Sequence, residues 1–224
     1  MSTLQRVWSA IGRQLAHPTG LGGLAMGRAL AIANRQPVRL AIDALAVAPG
    51  EVILELGFGP GRAVAKLAEL VASGCVLGID HSSTMLAQAS RYNRRAIAIG
   101  RVRLEQGRFD HLPWPAGSVD KILAANVVYF FRDNGAEMRE ANRVLRPGGT
   151  MAIYATDRSS MAAWRFAQKE THHAFDHDDL ITLIRLGGFS DHDMTIMRPR
   201  MGFGIAGLLA VVRKPKKRFI GRMR

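Results

Sequence analysis

Apolar positions along this chain fall into short solid blocks that alternate with stretches of helical periodicity. Residues 52–56, 75–79, 102–106, 119–125 and 150–155 have the length of strands, and most have the apolar content of strands buried in a sheet. One helix follows at Arg62, Ala63, Val64, Ala65, Lys66, Leu67 and Ala68. Another opens at His81-Ser82-Ser83, with serine as its N-cap, and runs through Met85, Leu86 and Ala89. Further helices are expected near 136–145 and from Asp178 to a stop at Gly187-Gly188, and Arg146-Pro147-Gly148-Gly149 reads as a turn. Strands separated by helices form βαβ units, so the fold class is α/β with a mainly parallel sheet. The last two strands, near 194–198 and 208–213, have no helix between them and predict an antiparallel edge.

Upstream of the first strand, Leu4, Val7, Trp8, Ile11 and Leu15 recur at three- and four-residue steps, with Arg6, Ser9, Arg13 and Gln14 on the other face. This amphipathic helix has a basic side and a tryptophan, so it can lie at a membrane interface or fold over the domain as a lid. His17-Pro18-Thr19-Gly20 breaks it, and apolar helical stretches at 21–34 and 37–47 lead into the sheet. The chain thus divides into an N-terminal helical cap or lid (1–48), an α/β domain (49–213) and a basic C-terminal tail (214–224).

Composition narrows the setting. The length of 224 residues suits one domain with a full core. The single Cys75 excludes an internal disulfide and argues for a reducing, cytoplasmic compartment. No cleavable apolar leader is expected, and no apolar run approaches the roughly 20 residues of a membrane span. The formal charge of +13 is uneven: residues 1–50 carry +4, residues 213–224 carry +7, and the body between them carries the remaining +2. Such basic ends suit an anionic partner, membrane lipid or nucleic acid, and are equally compatible with a solvated tail.

The most informative chemistry lies where the first strand ends. E-V-I-L-E-L-G-F-G-P-G (51–61) places an acid, Glu55, just before Gly57, Gly59 and Gly61, and a helix follows at once. Glycines at these positions let the backbone turn sharply and leave no side chain between it and a ligand. The spacing is G-x-G-x-G and not the G-x-G-x-x-G of dinucleotide sites. A carboxylate there would repel a pyrophosphate and attract an ammonium. The segment resembles motif I of the class I S-adenosylmethionine-dependent methyltransferases, whose loop holds the methionine half of the cofactor. G-I-D-H-S-S-T-M-L (78–86), L-P-W-P-A-G-S-V-D (112–120) and R-V-L-R-P-G-G (143–149) follow in order. Together they resemble the motifs of methyltransferases related to ubiquinone and menaquinone biosynthesis, over about residues 45–155.

The resemblance implies a Rossmann-like seven-stranded, mainly parallel sheet with an antiparallel last strand, helices on both faces and an N-terminal helical cap. Many members close their pocket with N-terminal helices, which favours the lid reading of the first helix. It also implies a cofactor site made of Glu55, Gly57, Phe58, Gly59, Gly61, Asp80, His81, Arg108, Phe109 and Asn126. Asp80 stands where an acid accepts both ribose hydroxyls, and His81 where a flat side chain covers the adenine. Gly107-Arg108-Phe109 matches the segment at the adenine edge, but relatives often carry an acid in place of Arg108, and an arginine accepts no hydrogen bond. Either Asp110 or a backbone carbonyl takes that role, or Arg108 points to solvent.

Asn126-Val127-Val128-Tyr129-Phe130-Phe131 should lie near the transferred methyl group. Its N-x-x-Y spacing is similar to the N-P-P-Y motif of nucleic-acid amino-methyltransferases, but both prolines are missing, which argues against a nucleic-acid substrate. Asn126 is expected on the cofactor side, and Trp8, Tyr129, Phe130 and His172 are candidates for the substrate pocket, with core packing the alternative for Tyr129 and Phe130. His172, His173 and His177 are spaced for a metal only if further ligands join them, and none is evident, so no metal is expected. The expected function is methyl transfer from S-adenosylmethionine to a small hydrophobic metabolite, leaving S-adenosylhomocysteine. The alternatives are a lipid head group at the membrane surface and, from another class, a non-catalytic S-adenosylmethionine-binding regulator. No residue declares itself as a general base, and neither the acceptor atom nor the oligomeric state is set by the sequence.

Overall fold

The computed structural model describes residues 35–161 and 173–216. The expectations for the first helices with Trp8, for His172 and for the end of the tail lie outside the described residues.

Seven strands form one sheet: β1 (Val52–Leu56), β2 (Cys75–Asp80), β3 (Val102–Gln106), β4 (Val119–Ala125), β5 (Leu145–Thr156), β6 (Met194–Met197) and β7 (Gly207–Arg213). Their spatial order is β3-β2-β1-β4-β5-β7-β6. β1 to β5 run parallel, and β7 is antiparallel to both β5 and β6. The last strand pair is antiparallel as expected, but β7 inserts beside β5 and leaves β6 at the edge. That placement gives the more apolar strand, Gly-Leu-Leu-Ala-Val-Val-Arg, two hydrogen-bonded neighbours, and the half-exposed Met194–Met197 only one.

Strand side chains alternate between two cores, as a sheet covered on both faces requires. Ile53, Leu123, Ala152 and Tyr154 face α1 (Arg35–Leu45), α2 (Arg62–Leu70) and α3 (Ser83–Tyr92). Leu54, Leu56, Ile122, Ala124, Met151 and Ile153 face the other way. The short α4 (Arg94–Ala98) lies against the first core through Ala96 and Ile97, and the second core packs with α5 (Ala136–Val144), Met161 of α6 (Arg158–Met161) and α7 (His177–Leu186). α1, within the segment expected as cap, is part of the domain: Ala41, Ile42 and Leu45 are buried against the sheet. Lys121 of β4 donates its Nζ to the Leu45 carbonyl at 2.7 Å and pairs with Glu51 at 3.2 Å, which closes the C-terminal end of that helix.

Capping follows the sequence. Ser82 accepts from the Met85 N–H, and Asp176 forms a reciprocal capping box with Asp179 at the start of α7. Arg146–Gly149 departs from expectation. It is a bulge inside a single long strand: Val119 pairs with Leu145 and Lys121 with Thr150, so one residue of β4 faces four of β5. The segment is held by Lys214, the residue after β7: the Gly148 N–H donates to the Lys214 carbonyl and the Lys214 N–H to the Gly149 carbonyl, at 2.8 and 2.9 Å. Lys214 also donates its Nζ to the Asn142 and Leu145 carbonyls, so the first residue of the expected tail is built into the domain.

Candidate functional site

In an open α/β sheet the crevice lies at the carboxyl ends of the strands, where their order reverses. Here that point falls between β1 and β4. The Gly57–Gly61 loop leaves β1 there, and Asn126 to Phe131 leave β4. The two loops touch: a Cβ on Gly57 would fall 2.5 Å from Val127 Cγ2. Gly57, Gly59 and Gly61 all hold positive φ, +69°, +51° and +79°. They differ in surroundings. Gly61 is hemmed in by Ala89 and Asn93, whereas a Cβ on Gly59 would meet nothing within 4 Å, so the loop's middle is open in front.

Two carboxylates project from the strand ends onto the same face of the sheet. Glu55 pairs with Gly78 in register, and Asp80 follows two residues later. Both are 4% exposed. Asp80 is satisfied locally, taking the Gly59 N–H on Oδ2 and the Ser82 N–H on Oδ1, each at 2.9 Å. Burial raises its pKa, and those backbone N–H groups and His81 pull the other way. Glu55 has less support: its Oε2 is buried with no hydrogen-bond partner among the described residues. Burial, and then the charge of Asp80, push its pKa well above the ordinary carboxylate range.

Aromatic rings line the neighbouring wall. His81 meets Phe109 edge-on at 6.1 Å and Phe130 at 6.3 Å, and Phe109 leans on Phe131 at 5.8 Å. Phe58, by contrast, turns its ring into the core above Gly78, leaving its backbone at the loop. Asn126 sits in the left-handed region at φ +54°, a conformation rare for residues other than glycine. Tyr129 holds it there: its hydroxyl donates to Asn126 Oδ1 at 2.8 Å and accepts the Thr156 N–H from the end of β5. Tyr129 is buried, and burial raises its phenol pKa, so it remains a neutral bridge. Phe130 is only partly buried and is the more accessible of the two pocket candidates.

Arg108 turns outward, its side chain 73% exposed, and clamps Asp110 with Nε and Nη2 at 2.9 and 2.7 Å. Arg132 reaches the same carboxylate and also Glu137. The Arg108 guanidinium, with help from Arg132, holds the Asp110 carboxyl down at about 2. Asp110 is therefore a tie between the loops after β3 and β4, a role its sequence position did not disclose. Thr156 ends β5 and Asp157 follows it, at the same carboxyl edge of the sheet. Asp157 is buried and accepts from the N–H and hydroxyl of Ser159. His173 donates its N–H to the Tyr129 carbonyl and pairs with Asp133 at 3.1 Å. Among the described residues no group of three or more His, Cys, Asp or Glu side chains could hold a metal ion, and no helix is long and apolar enough to cross a membrane.

Residues 53–149 match the model of a family described as methyltransferase domain. The chain is 31% identical over 168 residues to the uncharacterized methyltransferase YdaC of Bacillus subtilis, covering 75% of this chain and 87% of that one. It is 31% identical over 116 residues to the ubiquinone/menaquinone biosynthesis C-methyltransferase UbiE of Vibrio cholerae, covering 51% of this chain. Several curated relatives are longer: the chain spans 45% of that protein and 34% of another. Among solved structures, a Haloferax volcanii putative methyltransferase in complex with the Trm112 activator aligns with a TM-score of 0.72 at 20% identity, covering 85% of this chain and 93% of that one. That likeness concerns the fold.

Proposed function

The chain belongs to the class I S-adenosylmethionine-dependent methyltransferases, and from that premise we propose that it moves a methyl group onto a small hydrophobic metabolite by in-line displacement. The observation that carries the site assignment is Glu55, a buried carboxylate at the strand-order reversal with one oxygen that finds no partner among the described residues. A group in that state is satisfied by a cationic donor such as an amino-acid ammonium, and it would oppose a pyrophosphate. The open face of Gly59 gives backbone room beside it. Asp80 uses one lone pair of each oxygen on backbone N–H groups and keeps further acceptor capacity for a ribose diol. The residues present thus fit the cofactor.

S-adenosylmethionine bound there supplies a methyl group already activated by its positive sulfur. The chain's task is to hold the acceptor in line and to exclude water, an effect worth roughly 7–11 kcal/mol in favourable cases. Phe130, partly buried beside His81, supports an apolar acceptor, since it adds an aromatic ring to the wall of the crevice. Asn126, fixed through Tyr129, gives the end of β4 one rigid polar group. A general base is required only if the acceptor must lose a proton early. The test is a cell extract incubated with the enzyme and isotope-labelled S-adenosylmethionine, followed by mass spectrometry. Label in a low-polarity small molecule is the expected result. Label in lipid head groups or in RNA would overturn the acceptor class, and cofactor binding with no transfer to any fraction would overturn the enzymatic reading.

A further inference from the structure

One flank of the molecule concentrates arginines that have no ion-pair partner among the described residues. Residues 91–103 hold Arg91, Arg94, Arg95, Arg101 and Arg103 and no acid, a charge of +5 within a body, 51–212, that nets only +2. The end of α3, the turn of α4 and the approach to β3 bring these residues round to α2. Ala65, Tyr92, Arg94, Arg95 and Arg101 line an open groove of about 560 Å³ between them. Arg62 joins the cluster, its guanidinium carbon 5.3 Å from the centre of the Tyr92 ring. Glu69, also in the groove wall, is engaged by Lys66 at 3.0 Å and does not neutralise the arginines.

Two large apolar side chains stand out among them. Tyr92 is 53% and Ile99 67% exposed, the highest values for large hydrophobic residues in the described part of the chain. Arginines ringing exposed apolar side chains match a layered partner, with phosphates outermost and hydrocarbon beneath. A single-stranded nucleic acid would use the arginines and the Tyr92 ring but gives an exposed isoleucine nothing to contact. We propose that this face docks on an anionic phospholipid bilayer, with the arginines on head-group phosphates and Tyr92 and Ile99 at the acyl boundary. The docked face adjoins the glycine loop, because Asn93 in the groove floor donates its Nδ2 to the Gly61 carbonyl at 2.9 Å. The residues of this surface are not those of the basic termini, and the proposal does not depend on which acceptor is methylated.

The test is flotation of the full chain with vesicles of phosphatidylcholine alone and of phosphatidylcholine mixed with phosphatidylglycerol. Binding is expected only to the mixed vesicles, and it should fade as added salt shortens the Debye length. Combined Arg94→Glu, Arg95→Glu and Arg101→Glu should lower the bound fraction at least about tenfold, and Ile99→Asp several-fold, with melting temperature and cofactor affinity unchanged. A chain lacking residues 217–224 should retain most of the binding. The proposal is overturned by equal binding to both vesicle types or by no binding to either. It is also overturned if tail deletion removes binding that the triple variant keeps, or if an RNA oligonucleotide engages the same arginines more tightly than the vesicles do.

Discussion

Glu55→Gln offers the sharpest test of the site, because the structure makes stability and binding move in opposite directions. Glu55 is buried, one of its oxygens has no donor among the described residues, and Asp80 adds like charge. Both conditions disfavour the ionised form. Glutamine keeps the shape and removes the charge, so the variant should melt at the same temperature or higher. Relief of about 1 kcal/mol corresponds to roughly 2–4 °C for a domain of this size. The pH dependence has a definite sign. A carboxyl whose folded pKa is raised binds its proton more firmly in the native state than in the unfolded one, so stability falls as pH rises through the interval between the two values. The variant lacks that loss. Its advantage over wild type should be absent below the ordinary carboxylate range and grow as pH climbs above it.

Cofactor affinity should respond in the other direction. A charge-assisted hydrogen bond to an ammonium contributes about 1.5–3 kcal/mol, so calorimetry with S-adenosylhomocysteine should show a loss of roughly ten- to 150-fold. Wild-type affinity should also weaken on acidification at a pH above the usual carboxylate range, and the glutamine variant should lack that inflection. A variant that melts lower and binds within about threefold of wild type would refute the reasoning and make Glu55 a structural residue.

Asp80→Ala should weaken S-adenosylmethionine by about 1.5–3 kcal/mol in the same assay. It should also lower the melting temperature, since the Gly59 and Ser82 N–H groups lose their acceptor. Arg108→Ala should leave cofactor affinity within about threefold, because the side chain faces solvent and its partner is Asp110; a larger loss would place Arg108 in the site. Asp110→Asn should destabilise at neutral pH. The Asp110 carboxyl is held down at about 2, so the gap from wild type in acid-unfolding curves should close as pH falls from about 4 toward 2. Tyr129→Phe strands the buried Thr156 N–H and removes the bond from the phenol to Asn126 Oδ1, costing about 1–3 kcal/mol in denaturant titration, with a fall in turnover larger than any fall in cofactor affinity.

The sheet was legible because its signals are local. Strand blocks such as 52–56 and 119–125 match the observed strands to the residue, and a serine, Ser82, caps the helix that opens at His81-Ser82-Ser83. What failed depends on partners distant in sequence. Arg146-Pro147-Gly148-Gly149 has turn composition, yet Lys214 on the far side of the chain pairs with Gly148 and Gly149 and keeps the segment in the strand. Which of two terminal strands lies inside the sheet is likewise a question of which one β5 accepts, and alternation within each strand carries no information about that.

The same division runs through the site. Glycine spacing and the acids at 55 and 80 are carried by a few adjacent residues, because each acts through its own backbone or its own strand end. Asp110 and Tyr129 act through others. Asp110 is held by Arg108, two residues away, and by Arg132, twenty-two residues on, and only their convergence shows that the acid fastens two loops. Tyr129 reads equally well as pocket wall or core until its hydroxyl is seen between Asn126 and the Thr156 N–H, two groups brought together by the pairing of β4 with β5. The arginines of 91–103 fall within one short acid-free segment and are legible in the sequence as a basic stretch, but the exposure of Tyr92 and Ile99 among them is a property of the fold. In each case residue type states what a side chain can do, and topology selects which of those things it does.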